Sequence, residues 1–243
     1  MATILLVHGS WHGGWVWDEI GASLSAMGHE VLAPSLRGLG EDAANLDPTI
    51  GLWTHVDDLE RLIVDQAPGD LFLVGHSYGS AVVHGLEGRV SAHLRAVVHL
   101  EGAIPALGSS IMDSWPGWYR KDVLDLAKAH DGWRVPPPDP GIWTGLDETR
   151  RAWLRQRLRP QSLKTYQDVM PVDISSFPGT HYYLWAKDRP TQPYRAVVER
   201  FQDAPNWTVV KTTGGHELPL SNPGAVMRMI EAALSGEKLP SDI

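Results

Sequence analysis

The sequence predicts an α/β fold: a mostly parallel six-stranded sheet with helices on both faces and an inserted helical cap. Three observations predict it. Short apolar runs alternate with segments of helical spacing, which is typical of a parallel sheet with right-handed crossovers. The 243 residues are 43% hydrophobic, which is enough for one sizeable core. One long central stretch, 105–177, lacks any buried-strand run.

Each strand is predicted from a short apolar run that ends at a turn residue. The first run stops at His8-Gly9, as expected for a strand buried on both faces. In chain order, the strands are predicted at 4–7, 29–33, 71–74, 96–100, 182–185 and 207–210. Helical spacing is found between them, at 15–27, from Thr54 onward, after the 75–79 motif to about residue 88, at 192–201 and at 222–234.

The stretch 105–177 is interpreted as a helical cap inserted into a core that comprises 1–104 and 178–243. Helical spacing recurs at 122–130, 147–159 and 162–170, and tryptophan and proline accumulate there. A loop of this length without secondary structure is uncommon inside a compact domain. An inserted cap over the edge of the sheet explains the stretch better.

The charge balance argues against nucleic acid and membrane partners. The chain has 21 Lys+Arg against 29 Asp+Glu, a formal net charge of −8, and an acidic surface repels phosphate backbones and anionic lipid. Cysteine is absent, so neither a disulfide nor a cysteine-ligated metal is expected. The first residues lack a signal-peptide pattern, which predicts a cytoplasmic protein. The oligomeric state stays open, and a homodimer is compatible with the sequence.

Ser77 is the predicted nucleophile, because Gly75-His76-Ser77-Tyr78-Gly79 joins an apolar strand to a helical segment. This strand–turn–helix context is what the Gly-x-Ser-x-Gly motif of the α/β-hydrolase fold requires. Glycines on both sides let strand and helix approach, and the sharp turn lifts Oγ above the sheet. The five residues alone could match by chance, but both flanks fit.

A serine hydroxyl needs a base to take its proton, and His216 is the predicted base. It follows the last predicted strand, so its loop lies at the same edge of the sheet as Ser77. Asp188, which follows the strand at 182–185, is predicted to orient the imidazole. Glu101, at the end of the preceding strand, is the alternative candidate for the orienting acid. It is less favoured because the chain continues from it into Gly-Ala-Ile-Pro at the cap entrance.

The backbone N–H groups of Ser10 and Tyr78 are the predicted oxyanion donors. Tyr78 follows the nucleophile, and Ser10 lies in the loop after the first strand, which Gly9 keeps close to the nucleophile. His8 and His12 have i, i+4 spacing, but they flank glycines rather than lie on a helix, so no metal site is predicted. No cofactor is predicted either.

These motifs resemble those of the methylesterase and hydroxynitrile lyase group of α/β-hydrolases. The similar segments are 8–17 (HGSWHGGWVW), 75–79 (GHSYG) and 216–223 (HELPLSNP). The resemblance covers the core, weakens inside the cap, and implies a triad of Ser77, Asp188 and His216. Lyases of the group carry threonine at the position of Gly9 and lysine after the catalytic histidine. Gly9 therefore favours ester hydrolysis, while Glu217 matches neither branch.

The predicted function is a serine hydrolase that cleaves a carboxylic ester or lactone of a hydrophobic small molecule through an acyl-enzyme. An aromatic-lined cavity is expected, although any single tryptophan more often belongs to a core. The candidate pocket residues are Gly9, Trp11, Trp115, Trp118 and Trp133. Two alternatives stay open: a lyase or cofactor-free oxygenase on the same triad, and a ligand-binding receptor that kept the fold.

Overall fold

A six-stranded parallel sheet lies at the centre of the structure. The structure is a computed structural model, and it describes residues 1–66, 69–171, 179–188 and 193–243. The strands are β1 (Thr3–Val7), β2 (Glu30–Leu32), β3 (Leu71–His76), β4 (Leu94–Leu100), a short antiparallel pair β5 (Arg134–Val135) and β6 (Gln161–Ser162), β7 (Thr180–Ala186) and β8 (Trp207–Thr212). The large sheet has the order β2-β1-β3-β4-β7-β8. All six predicted strands are confirmed, each close to its predicted bounds.

Helices cover both faces of this sheet. In chain order they are α1 (Asp18–Ala26), α2 (Leu52–Gln66), α3 (Tyr78–Val90), α4 (Gly117–Ala129), α5 (Glu148–Arg157), α6 (Lys164–Gln167), α7 (Arg195–Phe201), α8 (Leu218–Ser221) and α9 (Pro223–Ser235). Consecutive strand residues point to opposite faces. Leu73 accordingly belongs to the core cluster that includes Val56 of α2, and Val74 belongs to the cluster on the other face that includes Ile20 of α1. Burial on both faces explains why the strands are near-continuous apolar runs.

Capping residues fix the chain just after the last strand. The Asn222 side chain accepts a hydrogen bond from the Ala225 N–H at 3.1 Å, and Pro223 occupies the first turn of α9. Asn222 also donates to Thr212, at the end of β8, over 3.2 Å. The loop 213–217 is thereby held between a strand end and a helix start.

The segment between β4 and β7 contains α4, β5, α5, β6 and α6. The helical spacing at 122–130 and 147–159 corresponds to α4 and α5, whereas the predicted helix at 162–170 is only the short α6. The predicted cap boundary at 177/178 and the start of the predicted helix at 192 lie outside the described residues. A cluster of Trp143, Leu146, Leu154 and Leu158 packs against Trp11 and Trp15 and so joins this segment to the loop after β1. None of the helices in the described ranges is long and apolar enough to cross a membrane.

Candidate active site

Ser77 occupies a sharp turn between β3 and α3. Its φ of 53° lies in the left-handed region that residues with a side chain rarely adopt. The turn requires its glycines: a Cβ on Gly75 would lie 2.5 Å from the Gly79 carbonyl oxygen, and one on Gly79 would lie 2.3 Å from the Val7 carbonyl oxygen. The Ser77 N–H donates to the Leu100 carbonyl at 3.0 Å, which fixes the strained backbone against β4.

His216 lies directly beside this serine. Its Nε2 is 2.9 Å from Oγ of Ser77, which is hydrogen-bond distance for proton transfer. The His216 carbonyl oxygen lies 2.8 Å from Nε2 of His76, the residue before the nucleophile. Burial lowers the pKa of the His76 imidazole to about 4, so this ring is neutral at pH 7 and its Nε2–H is the donor. The structure therefore brings the predicted nucleophile and base together.

Glu101 provides the carboxylate next to Nδ1 of His216. Its Oε2 is 3.5 Å from that nitrogen, and its Oε1 accepts a hydrogen bond of 2.6 Å from the Ala186 N–H. The residue is buried, and its φ of 46° is again in the left-handed region. Because its own N–H donates to the Leu184 carbonyl at 2.8 Å, the backbone turns beside β7 and the side chain reaches back to His216.

The predicted contact between Asp188 and His216 is wrong in this structure. Asp188 is exposed beyond the end of β7, and its Oδ2 accepts a hydrogen bond from the Gly214 N–H at 3.0 Å. Its carboxylate thus holds the loop that carries His216 and not the imidazole. The longer Glu101 side chain, on a left-handed backbone, occupies the position beside Nδ1.

The two predicted oxyanion donors lie on the same cavity wall as Ser77 and His216. Tyr78 is the first residue of α3, where an N–H has no carbonyl partner within the helix. Ser10 follows β1 and is buried, and its carbonyl oxygen lies 2.7 Å from Nδ1 of His12. This placement is compatible with the predicted oxyanion role.

A cavity of about 780 Å³ opens above Ser77, between the sheet edge and the segment that follows β4. Of the predicted pocket residues, Trp11, Trp115 and Trp118 line it. Gly9 and Trp133 do not: Gly9 packs behind the site, and the Trp133 ring is covered by the Arg134 guanidinium at 4.9 Å. The lining also includes aromatic residues and prolines that sequence reasoning missed, namely Tyr119, Trp143, Tyr166, Tyr194 and Pro136, Pro137 and Pro138.

A model of the alpha/beta hydrolase family matches residues 4–229. The chain belongs to this family. A carbendazim-hydrolysing esterase from Nocardioides is 31% identical to this chain, and the match covers 96% of this chain and 99% of the esterase. Methylesterase 10 of Arabidopsis thaliana is 34% identical over 31% of this chain and 28% of its own length. The resemblance to methylesterases is confirmed, and the chain is an esterase-type hydrolase.

A solved structure shows the same fold over nearly the whole hydrolase. It is an extracellular alpha/beta-hydrolase from a Paenibacillus species, described as sharing structural and functional homology with tobacco salicylic acid binding protein 2. The TM-score is 0.84, with 96% of this chain and 99% of that chain covered, at 18% identity. At that identity, the similarity concerns the fold.

Two groups of side chains in the described part of the hydrolase could hold a metal ion by distance alone. They are His76, His216 and Glu217, and Glu87, His99 and His181, with ligand atoms within 4.8 Å of one another. In the first group, His76 contacts a carbonyl oxygen and Glu217 contacts His12. In the second, Glu87 contacts His84, and His181 stacks on Trp207 with ring centroids 4.4 Å apart. Both groups therefore have protein contacts that do not require a metal.

Gly9 is expected to tolerate no side chain without loss of activity. A Cβ there would lie 3.0 Å from Nδ1 of His76 and 3.1 Å from Cβ of Ser77, so one of them must shift. We expect Gly9→Ala to lower kcat/KM about tenfold, since small displacements of reacting groups are costly. We also expect it to lower the free energy of unfolding by about 1–3 kcal/mol through overpacking.

The matched control is Gly21→Ala in α1, where the nearest atom to a new Cβ is Cγ1 of Val31 at an ordinary 3.6 Å. Alanine also has the higher helix propensity, so this variant should keep full activity and equal or greater stability. Denaturant unfolding and ester kinetics on both variants check the prediction. Full activity in Gly9→Ala would contradict the close packing behind Ser77.

Proposed function

We propose that the hydrolase cleaves carboxylic esters of small hydrophobic molecules through an acyl-enzyme on Ser77. One observation carries the proposal: Oγ of Ser77 lies 2.9 Å from Nε2 of His216 at the wall of a cavity of about 780 Å³. A hydroxyl within reach of a base, open to an apolar cavity, is the arrangement that nucleophilic acyl transfer needs.

In the proposed mechanism, His216 takes the proton of Ser77 as Oγ attacks the ester carbonyl. The negative charge on the carbonyl oxygen is stabilised by the N–H groups of Ser10 and Tyr78. His216 then gives its proton to the departing alcohol, and the same base later activates a water molecule that releases the acid. Glu101 keeps the proton on Nδ1 of His216 and stabilises the imidazolium that forms in each step.

The cavity lining supports a hydrophobic, aromatic substrate. Its wall includes the aromatic side chains of Trp11, Trp115, Tyr119 and Tyr166, which suit apolar and planar groups. Asp122 is an acidic side chain among the described lining residues, and its charge disfavours an anionic acyl group. We extend to this chain the substrate named for its Nocardioides relative and propose carbendazim as one candidate.

The residue after His216 supports ester hydrolysis over cyanohydrin cleavage. Lyases of the resembling group carry lysine there, which stabilises departing cyanide. Here Glu217 is buried with its carboxylate 3.2 Å from Nε2 of His12. A carboxylate in this position cannot stabilise an anionic leaving group as an ammonium does.

Burst kinetics with an activated aryl ester test the proposal. We expect a rapid burst of phenol equal to the number of active sites, followed by slower turnover, because the acyl-enzyme accumulates before water releases it. Aryl esters, methyl esters, lactones and carbendazim, assayed side by side, then define the substrate class. Cyanide release from a cyanohydrin is measured in parallel.

Ser77→Ala is the control for background hydrolysis in this assay, and it should show neither burst nor turnover. Cyanide release from the parent at a rate that rivals ester turnover would overturn the esterase proposal. Ligand binding without any ester turnover would favour the receptor alternative instead.

A further inference from the structure

Glu217, next to the base in sequence, does not contact the reacting atoms. Its Oε2 lies 3.2 Å from Nε2 of His12, and the side chains of Glu217 and His12 are 1% and 2% exposed. Burial raises the pKa of the Glu217 carboxyl, but the charge and hydrogen bond of His12, with smaller contributions from His76 and His216, together bring that pKa down to about 2. The two residues therefore form a buried ion pair between the His216 loop and the loop after β1.

The stability of the fold does not explain such a pair. Removing two charges from water costs as much as their attraction returns, and apolar replacements of buried pairs are often neutral or stabilising. A buried pair beside a catalytic base therefore suggests a role in geometry.

The other ring nitrogen of His12, Nδ1, connects the ion pair to the loop after β1. Nδ1 lies 2.7 Å from the carbonyl oxygen of Ser10, the residue whose N–H is the proposed oxyanion donor. Nε2 faces Glu217. Both nitrogens carry hydrogen only in the imidazolium form, and burial lowers the pKa of His12 while Glu217 raises it above its ordinary value. Glu217 thus favours the imidazolium form of His12, in which the Nδ1–H donates to the Ser10 carbonyl.

The backbone between Ser10 and His12 needs such support. Trp11 has a φ of 67°, a strained conformation for a residue with a large side chain. On its other side, the Trp11 N–H donates to Oε1 of Gln161 at 3.0 Å, and its carbonyl accepts from the Arg159 N–H at 2.9 Å. The strained loop is held from two directions, by Gln161 and Arg159 and by the ion pair.

We propose that His12 and Glu217 are positioning residues that hold the Ser10 N–H at the position, relative to His216, where it can bind the oxyanion. The inference rests on the proposed esterase function. Neither residue touches the substrate: Glu217 acts through His12, and His12 acts through the Ser10 backbone. Since an oxyanion donor contributes chiefly in the transition state, displacement of the Ser10 N–H reduces kcat and leaves KM nearly unchanged.

Glu217→Gln is the test variant, since it removes the charge and keeps the side-chain volume. We expect kcat at the plateau of the pH profile to fall about 10- to 100-fold, with KM changed by less than about threefold. Reading kcat at the plateau removes any effect of the altered charge on the titration of His216. A second readout is the ratio of rates on an ester and its thionoester. Sulfur accepts hydrogen bonds weakly, so this ratio should shrink when the donors are misplaced.

Glu87→Gln is the matched control for the loss of a buried carboxylate beside a histidine. Glu87 is buried in α3 with Oε1 3.4 Å from Nδ1 of His84. It lies ten residues beyond Ser77 in the chain, about 15 Å along a helix. Whatever its effect on the melting temperature, this variant should keep the parent kcat and the parent ester-to-thionoester ratio.

The double variant His12→Gln/Glu217→Gln leaves no unpaired buried charge, so it is also the route to follow if Glu217→Gln does not fold. Because the two residues act as one unit, its loss should equal that of the more affected single variant. A parent-like ratio in Glu217→Gln or in the double variant, or additive losses in kcat, would overturn the positioning role. A parent that neither hydrolyses aryl esters nor is labelled at Ser77 by a fluorophosphonate would overturn the esterase function, and the positioning role with it.

Discussion

Ser77→Ala and His216→Ala are each expected to reduce kcat for ester hydrolysis on the order of 10⁶-fold. Without Oγ there is no nucleophile to form the acyl-enzyme. Without Nε2, which lies 2.9 Å from Oγ, no base takes the serine proton. Either loss removes the whole covalent route, and only the oxyanion donors and substrate binding remain to accelerate attack by water.

The double variant separates one catalytic unit from two independent contributions. Because either single change already removes the covalent route, the double variant should be no slower than the slower single variant. Steady-state kinetics with an aryl ester, with active sites counted by fluorophosphonate labelling of the parent, measure this directly. Losses that multiply in the double variant would refute the pairing of Ser77 with His216.

Two further alanine variants control for the substitutions themselves. Ser23 lies on α1, and its hydroxyl donates to the Glu19 carbonyl at 3.0 Å. His93 is exposed just before β4, at the opposite end of the sheet from Ser77. Neither contacts the cavity, so Ser23→Ala and His93→Ala should keep parent kcat and KM.

The sequence predicted the parts of the site whose signals are local. Ser77 was predicted as the nucleophile because a glycine-flanked turn between an apolar strand and a helix has few other uses. The position of His216 beside Ser77 could be predicted because parallel strands bring their carboxyl ends to one edge, so the loop after the last strand had to lie near Ser77. The buried strands could also be predicted, because burial on both faces makes them continuous apolar runs.

The contacts that sequence reasoning missed depend on single backbone angles or on distant partners. Glu101 was recognised as a rival acid, but its left-handed φ of 46°, which turns the side chain toward His216, leaves no mark in the sequence. The pair of His12 and Glu217 joins loops about two hundred positions apart in the chain, beyond the reach of any spacing rule. In the sequence, Trp133 looks like the neighbouring tryptophans, but in the structure its ring lies under the Arg134 guanidinium and does not line the cavity.

The carboxylate that orients the base is expected to be identified by comparing Glu101→Gln with Asp188→Asn. In Glu101→Gln, the amide oxygen can still accept from the Ala186 N–H, which is 2.6 Å from Oε1 in the parent, so the fold should be kept. The amide NH₂ then faces Nδ1 of His216 in place of a carboxylate oxygen. An NH₂ donates to an unprotonated Nδ1, so the ring proton is then on Nε2. A protonated Nε2 cannot accept the Ser77 proton.

We therefore expect Glu101→Gln to lower kcat on the order of 10⁴-fold through the wrong imidazole tautomer. Asp188→Asn should cost less than about tenfold, because an asparagine oxygen can replace the Asp188 carboxylate as acceptor for the Gly214 N–H. The two substitutions each exchange one carboxylate for its amide, so each is the control for the other. Steady-state kinetics on an aryl ester, with melting temperatures measured alongside, report the outcome. If Asp188→Asn proved the crippling change while Glu101→Gln stayed active, Asp188 would be the orienting acid, and the 3.5 Å contact between Glu101 and His216 would have no catalytic role.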